Sequence, residues 1–330
     1  MKHRRRVLVT GGGGFLGGAI VRLLVANGEA VRSFSRSRYT ALDDLGIEQV
    51  QGDLHDSADV LKACRRVEAV FHVAARTGIW GTYKDFHRPN VEGTRNVIDA
   101  CRRCGVQRLI YTSSPSVVFN GKDMQGVNES VPYPPTFDAH YPRTKALAEQ
   151  MVLKAAAKGF PAVALRPHLI WGPGDNHLVP RIIARSRRLR RIGDGSNKID
   201  TIYIDNAAHA HVLAESCLKE KPGLAGRVYF ISQDEPVGLW DMIDLILAAG
   251  GKPPVKKTIS PRAAYAIGAF LERFYGVLRL KSEPPMTRFT ARELATAHWF
   301  DISAAKTDLG YAPVVSTTEG LRRLAQWLRG

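Results

Sequence analysis

The sequence has few cysteines and no long apolar run. Four cysteines in 330 residues favour a reduced, cytoplasmic protein over a disulfide scaffold. Cys101 and Cys104 lie within a helical pattern and lack a second pair of metal ligands, so we interpret them as packing residues. No apolar segment is long enough to span a bilayer. The basic residues 1–6 run directly into a strand, which predicts no signal peptide.

Acidic residues are also scarce, with 31 Asp and Glu against 47 Lys and Arg and a net charge of +16. A solubilising surface is the favoured explanation. NADPH, an acyl carboxylate or a membrane face would be a suitable anionic partner. The densest basic cluster is residues 185–191, RSRRLRR. No nucleic-acid-binding fold signature surrounds it, so we predict a solvated helix face or a partner site and no nucleic acid.

A glycine-rich stretch, VLVTGGGGFLGG, organises the rest of the chain. The apolar residues 7–9 predict a buried strand, and residues 19–26 predict an amphipathic helix. Between them, Gly11, Gly14 and Gly17 follow the G-x-x-G-x-x-G spacing. A strand, a glycine turn and a helix N-terminus together form a cradle for a pyrophosphate. A tight packing turn is the structural alternative.

The end of the second strand, residues 30–35, indicates which nicotinamide cofactor is used. Enzymes that prefer NAD place an acidic residue at this point to bind the ribose 2′-hydroxyl. Here the strand ends at Ser35 and Arg36, and Arg38 follows. A guanidinium binds a 2′-phosphate that a carboxylate would repel. We therefore predict NADPH, with Ser35 and Arg36 as its readers, against the alternative of a surface arginine.

The next strands end in residues suited to the same cofactor. Asp53 and Leu54 are placed to meet the adenine, although a helix N-cap from Asp53 or Asp56 is the commoner role for such a residue. Ala74 and Ala75 are small enough to let a cofactor lie close. The alternation of strands and helices predicts a doubly wound parallel sheet. The predicted strands are 47–51, 69–73 and 107–112, and the predicted helix is 90–104.

Three polar residues beyond the fifth strand predict carbonyl chemistry. Ser114 follows that strand, and Tyr141 and Lys145 lie four residues apart on a helix predicted to end near residue 158. That spacing places Tyr141 and Lys145 on one helix face. A neighbouring ammonium is expected to lower the tyrosine pKa, and Ser114 to hold the substrate oxygen. A helical surface pair is the alternative.

These elements together resemble the extended short-chain dehydrogenase/reductase family across the whole chain. The matching residues are Thr10, Gly11, Gly14, Phe15, Gly17, Asn90, Val91, Gly93, Thr94, Tyr141, Lys145, Arg166 and Pro167. The resemblance implies that Asn90 supports a proton relay and that Ser114, or else Ser113, is the catalytic serine. The residues assigned to the cofactor are Gly11, Gly14, Phe15, Leu16, Gly17, Ser35, Arg36, Asp53, Leu54, Ala74, Ala75, Thr112, Tyr141, Lys145, Pro167 and Ile170.

Within that family the chain resembles the 3β-hydroxysteroid dehydrogenase branch at residues 171–175 and 201–207. It is more similar to the bacterial reductases of 2-alkyl-3-oxo acids that serve long-chain olefin biosynthesis. The matching stretches are residues 71–75, 78–83, 164–180, 193–206, 298–299 and 310–313. This resemblance implies that NADPH reduces a β-keto acid with an α-alkyl branch to the β-hydroxy acid while Tyr141 protonates the oxygen.

Several alternatives remain open from the residues. A sterol or 3β-hydroxysteroid dehydrogenase acting on a 4-carboxylate would more naturally use NAD, whereas Arg36 favours NADPH. A nucleotide-sugar epimerase or dehydratase needs a diphosphate grip that we cannot assign. A non-catalytic nucleotide sensor would have no need for Ser114, Tyr141 and Lys145 together.

The substrate side is predicted less directly. We expect a dinucleotide domain of residues 1–168 and 198–235, and a smaller, mostly helical substrate domain of residues 169–197 and 236–330. Residues 178–189 predict a basic helix, 198–204 a strand, 205–219 a helix and 227–231 a strand in the main sheet. A wall of apolar and aromatic residues suits an acyl chain. The residues that we assign to the substrate are Trp80, Tyr83, Phe119, His168 and Trp171. The candidates for binding the substrate carboxylate are His168, Arg143 and Arg181.

The C-terminal stretch 263–280 is strongly apolar but is interrupted by Glu272, Arg273 and Arg279, which argues against a membrane span. We favour a helix that covers the acyl pocket over one that lies on a membrane or docks a partner enzyme. The expected partners are an acyl substrate, other enzymes of the same pathway and, by family resemblance, a second copy in a homodimer. Peripheral membrane contact stays open.

Overall fold

The structure is a computed structural model that describes residues 6–330. The prediction about the basic start of the chain therefore lies outside the described residues, except at Arg6. The described part contains these strands: β1 (Arg6–Thr10), β2 (Ala30–Ser35), β3 (Glu48–Gln51), β4 (Ala69–His72), β5 (Arg108–Thr112), β6 (Met124–Val127), β7 (Ala162–Pro167), β8 (Ile170–Trp171), β9 (Arg191–Ile192), β10 (Lys198–Ile199), β11 (Ile202–Tyr203), β12 (Val228–Ile231), β13 (Val237–Gly238), β14 (Thr258–Ile259) and β15 (His298–Phe300).

Helices connect and cover these strands. The α-helices of the described residues are α1 (Phe15–Ala26), α2 (Thr40–Asp43), α3 (Ser57–Cys64), α4 (Tyr83–His87), α5 (Gly93–Cys104), α6 (His140–Ala157), α7 (Leu178–Arg185), α8 (Ile204–Glu220), α9 (Leu239–Ala249), α10 (Pro261–Val277), α11 (Arg288–Ala295), α12 (Ser303–Leu309) and α13 (Thr317–Arg329). One turn of π-helix, Arg88–Glu92, joins α4 to α5. Short 3₁₀ turns cover Pro115–Val117 and Pro222–Leu224.

The central sheet has seven parallel strands in the order β3-β2-β1-β4-β5-β7-β12. Alternate residues of β1 serve two cores, because Val7 and Val9 pack on the side of α1 and α8, while Leu8 packs on the side of α3 and α5. Burial on both faces explains the unbroken apolar run of this strand. The predicted doubly wound fold, with a mostly helical C-terminal part, is confirmed.

Chain order reverses between β1 and β4, which creates a crevice at the carboxyl ends of the strands. The predicted return of a strand near residues 227–231 to the main sheet is confirmed by the pairing of β12 with β7. Outside that sheet, β13, β10, β15 and β6 form a four-stranded sheet, and two pairs of short strands join β11 to β8 and β14 to β9.

Several predicted boundaries are wrong. Helix α1 begins at Phe15 rather than at residue 19, because Gly14 is already its N-cap. The predicted strand 198–204 is two short strands interrupted by Asp200 and Thr201, and its last residue begins α8. The predicted helix 178–189 ends at Arg185. The predicted helix 90–104 starts with the π-helical turn.

The division of the chain into two domains stays a prediction. Within residues 6–330, no helix is long and apolar enough to cross a membrane.

Candidate active site

An open cleft of about 1090 Å³ follows the carboxyl ends of the central strands. It lies at the crevice where an open parallel sheet binds ligands. Every residue that we assigned to the cofactor from the sequence lines this cleft. Ser114 lines it as well, so the predicted serine, tyrosine and lysine meet the glycine turn in one space.

The glycine turn requires glycine at two positions for different reasons. Gly11 has a φ of +72°, and a Cβ there would lie 3.0 Å from the Ala74 backbone. A Cβ at Gly17 would lie 2.1 Å from the Gly11 carbonyl oxygen, so any larger residue there would displace the backbone of the turn. The N-cap Gly14 makes no side-chain capping bond, which leaves the first N–H groups of α1 available to an anion.

The end of β2 provides a hydroxyl and a guanidinium. The buried Ser35 Oγ has no hydrogen-bond partner among the described residues. The exposed Arg36 lines the cleft. Although burial acts in the opposite direction, hydrogen bonds with His55 lower the pKa of Asp53, and the charge of Arg36 adds to this effect. Arg38 is engaged elsewhere, because its Nε and Nη2 donate to the Asp43 carboxylate at 3.1 and 2.8 Å.

The two residues predicted to meet the adenine also lie at this end of the cleft. Asp56, and not Asp53, is the N-cap of α3, accepting from Ala58 N at 2.8 Å. The Asp53 carboxylate instead accepts from the backbone N–H of His55 at 3.2 Å. Leu54 packs on Gly93, where a Cβ would approach it to 2.8 Å. The helix-capping alternative therefore applies to Asp56 alone.

Two serines follow β5, and the structure distinguishes them. Ser114 is close enough to Tyr141 to act on the pKa of its phenol, and the Ser114 Oγ lies 2.9 Å from the Ser116 Oγ. The Ser113 Oγ is buried without a partner among the described residues. The geometry therefore places Ser114, and not Ser113, beside the tyrosine.

The predicted effect of Lys145 on the tyrosine pKa is wrong for this structure. Burial raises the pKa of Tyr141 to about 12, although its hydrogen bond with Ser114 acts in the opposite direction. The Lys145 ammonium donates to the carbonyl oxygen of Thr112 and lies 4.2 Å from the centre of the Tyr111 ring. Burial also lowers the pKa of Lys145 to about 7, although the charge of Glu149 raises it. A position on the same helix face was therefore not sufficient to direct the Lys145 ammonium towards the Tyr141 phenol.

Asn90 is buried behind the cleft rather than lining it. Its Nδ2 donates to the Thr144 hydroxyl and to the Arg76 carbonyl, both at 3.1 Å, and its Oδ1 accepts from Arg76 N at 2.7 Å. Asn90 thus ties the loop after β4 to the first turns of α6, next to Tyr141. A π-helical turn carries it, and such turns often occur at functional sites.

Sequence reasoning missed two buried networks around these residues. Glu149 lies one turn beyond Lys145 and accepts from Arg166 at 2.6 and 3.0 Å and from the Tyr133 hydroxyl at 2.6 Å. A carboxylate on the buried face of α6, four residues after Lys145, was the available signal. This network fixes the helix that carries Tyr141 and Lys145 against β7.

The second network joins the strand ends at the crevice. His72 lies 2.8 Å from the Thr10 hydroxyl through Nδ1 and 3.0 Å from the Thr94 hydroxyl through Nε2. Burial lowers the pKa of His72 to about 3, helped by the charge of Lys145, so its imidazole is neutral. His72 thereby links β1, β4 and α5, and we found no signal for it in the sequence.

None of the five residues assigned to the substrate lines this cleft. Trp171 is fully buried, with its indole N–H donating to the Thr201 hydroxyl at 3.1 Å, so it is a core residue. Phe119 is buried with its ring edge-on to Phe289. Trp80 donates its indole N–H to the Leu280 carbonyl at 3.0 Å. Their apolar character serves packing between the C-terminal helices and the sheet.

The remaining two substrate residues and the carboxylate candidates are also engaged elsewhere. His168 Nε2 lies 2.7 Å from His298 Nδ1, and burial holds the pKa of His168 well below its usual range, so it carries no charge for a carboxylate. Arg143 lies over the Tyr83 ring, 4.8 Å from its centre. Arg181 pairs with Glu283. The cations that do line the cleft on this side were not predicted: Arg76, Lys84 and Arg88.

The fold and the site together define an oxidoreductase of the extended short-chain dehydrogenase/reductase class. Its marks are the parallel sheet, the glycine turn, and a serine, a tyrosine and a lysine at one cleft. The model of the 3-beta hydroxysteroid dehydrogenase/isomerase family matches residues 8–260, and the chain belongs to this family. The predicted family and enzyme class are confirmed.

Known proteins of this kind include close relatives. The chain is 52% identical to a 2-alkyl-3-oxoalkanoate reductase of Stenotrophomonas maltophilia, over 97% of this chain and 98% of the relative. It is 50% identical to a 2-alkyl-3-oxoalkanoate reductase of Shewanella oneidensis, over 96% and 84% of the two chains. Among solved structures, gox2253 is similar with a TM-score of 0.80 and 26% identity, over 99% of this chain and 98% of that one.

Proposed function

We propose that the protein reduces a 2-alkyl-3-oxoalkanoic acid to the 2-alkyl-3-hydroxyalkanoic acid with NADPH, in long-chain olefin biosynthesis. The observation that carries the reaction is the convergence of Ser114, Tyr141 and Lys145 on the cleft that begins at the glycine turn. The names of the two relatives at 50% identity or above support the substrate class, because the similarity extends over nearly the whole chain.

The residues at the end of β2 fit NADPH. The buried Ser35 hydroxyl lacks a partner among the described residues, and Arg36 lies beside it with no carboxylate in place of the usual acidic reader. These two groups would hold a 2′-phosphate through charge-assisted hydrogen bonds. The uncapped N-terminus of α1 and the close packing at Gly17 would hold the pyrophosphate. When bound, the cofactor supplies the hydride for the ketone carbon.

The side chains of the protein then handle the proton and the oxygen. Tyr141, with a pKa of about 12, keeps its proton at neutral pH and is suited to donate it to the carbonyl oxygen as the hydride reaches the carbon. Ser114 lies beside the phenol in the same cleft and would hold the same oxygen from a second side. The alcohol that forms has gained one hydride and one proton.

Lys145 and Asn90 hold the arrangement in place. Lys145 lines the cleft with its ammonium donating to the Thr112 carbonyl, and in its protonated form it would also bind the ribose of the cofactor. Asn90 positions α6 through Thr144 and does not touch the reacting atoms.

The test is a side-by-side assay of the purified protein with a 2-alkyl-3-keto acid and with a 3-ketosteroid. We expect loss of NADPH absorbance with the keto acid, and mass spectrometry identifies the hydroxy acid, which separates reduction from spontaneous loss of CO₂. Clear turnover of the ketosteroid with none of the keto acid would reverse the proposal. Equal turnover with NADH and NADPH would contradict its cofactor part only.

A further inference from the structure

Helix α10 presents an apolar surface to solvent on the side away from the core. Phe270 is 67% exposed and Val277 is 73% exposed. We use the name α10 surface for the exposed apolar residues of this helix and of its C-terminal end: Ile267, Phe270, Phe274, Val277 and Leu278. The first four recur at three- and four-residue spacing, which places them on one helix face.

The opposite face of α10 is firmly packed. A Cβ at Gly268 would lie 2.6 Å from the Thr287 backbone, so the helix lies directly against the start of α11. The buried Ala264 is on the same side. On the exposed side, Phe270 and Phe274 stack on each other with ring centres 6.2 Å apart. The helix is therefore held in place by its buried side, while its aromatic face points outward.

The densest basic cluster of the chain lies at the base of this helix. Arg191, its last residue, pairs with Thr258 through β9 and β14, immediately before the Ser260 N-cap of α10. The tertiary structure thus brings basic residues of segments 187–190 and 256–262 together. We call the basic rim the exposed cations there: Arg187, Arg188, Arg190, Lys256, Lys257 and Arg262.

The acidic residues nearby do not neutralise this rim. Four acidic residues lie near the rim: Asp194, Asp244, Glu272 and Glu283. Asp244 pairs with Arg191, which is not one of the rim cations, and Asp194 accepts from the backbone N–H and the hydroxyl of Ser196. Glu272 accepts from Arg288 Nε at 2.6 Å and from its backbone N–H at 2.7 Å. Glu283 pairs with Arg181 and approaches Arg185 to 3.8 Å. Among the described residues none of the six rim cations forms an ion pair, so the rim keeps an excess of positive charge at the base of α10.

This combination selects its partner by charge. An apolar helix face with a cationic border fits the boundary between headgroups and acyl chains of an anionic bilayer, because the apolar residues insert while the cations meet the phosphates. A second copy of this chain carries the same net charge of +16, which disfavours self-association and favours an anionic surface. We propose that the protein binds reversibly to the surface of anionic membranes through the α10 surface and the basic rim.

The surface also adjoins the cleft. The ring of Trp80 contacts Tyr275 of α10 edge-on, with centres 6.1 Å apart, and its indole N–H donates to the Leu280 carbonyl. Residues 73–77, a few positions before Trp80, line the cleft. A protein bound through α10 would therefore hold this loop near the membrane. The membrane proposal does not depend on the identity of the substrate.

The experiment is co-sedimentation of the full chain with vesicles of phosphatidylcholine alone or mixed with phosphatidylglycerol, at low and at physiological salt. We expect binding to the phosphatidylglycerol vesicles only, weakened by salt. Phe270→Asp removes apolar area and adds a repelled charge, so partitioning should fall by about tenfold or more. The matched control, Val314→Asp, changes an apolar residue that is 62% exposed on another part of the surface and should bind as the wild type does.

A second variant, Arg187→Ser with Arg188→Ser, keeps the apolar surface and should weaken binding by about fivefold for each cation removed. Unchanged thermal melting of these variants shows that the fold is kept. No binding of the wild type to phosphatidylglycerol vesicles at low salt overturns the proposal, and so does equal binding by Phe270→Asp. A wild-type dimer that Phe270→Asp dissociates would also overturn it, since the α10 surface would then be covered by a second copy.

Discussion

The two sides of the active-site region contrast sharply in how they are built. On the cofactor side, the residues that we assigned from the sequence follow the ends of adjacent strands, and all of them line the cleft. On the substrate side, aromatic residues that looked suited to an acyl chain are packed into the protein. A parallel sheet lines up its strand ends whatever the side chains are. An aromatic residue gives no such indication of its direction.

The largest expected effect concerns the residue that links the two sides. Tyr141→Phe removes the proton donor and keeps the ring, so kcat for ketone reduction should fall by about a hundredfold to ten-thousandfold. NADPH binding, measured by fluorescence titration, should change little. Tyr229→Phe is the control, because that hydroxyl bonds Asp308 outside the cleft. Retention of more than a tenth of the activity would show that Tyr141 is not the proton donor.

The next effect is a dependence on pH. Burial lowers the pKa of Lys145 to about 7, so its charged form is present below that pH and is lost as pH rises through it. Tyr141, at about 12, stays protonated throughout. Initial rates of reduction should therefore fall by about tenfold per pH unit above about 7. The weak residual activity of Lys145→Met should show no such step. A wild-type rate that stays level to about pH 9 would contradict this assignment.

A smaller effect tests cofactor choice. Arg36→Ala should weaken NADPH binding by about tenfold, the loss of one charge-assisted contact, and leave NADH binding unchanged. Arg38→Ala is a matched control two residues away, because Arg38 is held by Asp43. Both affinities are measured by titration of the purified variants. If Arg38→Ala lowered the affinity for NADPH and Arg36→Ala did not, the 2′-phosphate would bind at Arg38 and not at Arg36.

The smallest effect on catalysis is expected on the substrate side. Trp171→Phe should leave KM and kcat within about twofold of the wild type, while the lost hydrogen bond to Thr201 and the smaller ring lower the free energy of unfolding by about 1–3 kcal/mol. Urea unfolding and steady-state kinetics separate these outcomes. A large rise in KM without loss of stability would show that Trp171 reaches the substrate after all.

Much of the fold was predictable, because strand and helix periods are local properties. The glycine turn between Gly11 and Gly17 was found because it lies within one short stretch of the chain. The helix that carries Tyr141 and Lys145 was found from its spacing, but the direction of the ammonium was not. Lys145 points to the Thr112 carbonyl, which comes from β5, thirty-three residues earlier in the chain. His72 was missed because its partners, Thr10 and Thr94, lie on two other elements.

The order of apolar runs, glycines and polar strand ends in the chain was sufficient for the Rossmann sheet and for the residues along its carboxyl edge. Backbone geometry dictates those positions, and the backbone follows short-range patterns. Long-range packing settled the rest: which serine meets the tyrosine, where Trp171 and His168 are buried, and how the arginines of residues 185–191 come to border α10. Those contacts join segments far apart in the chain, and hydrophobicity or charge at one position does not specify the neighbour that it will have.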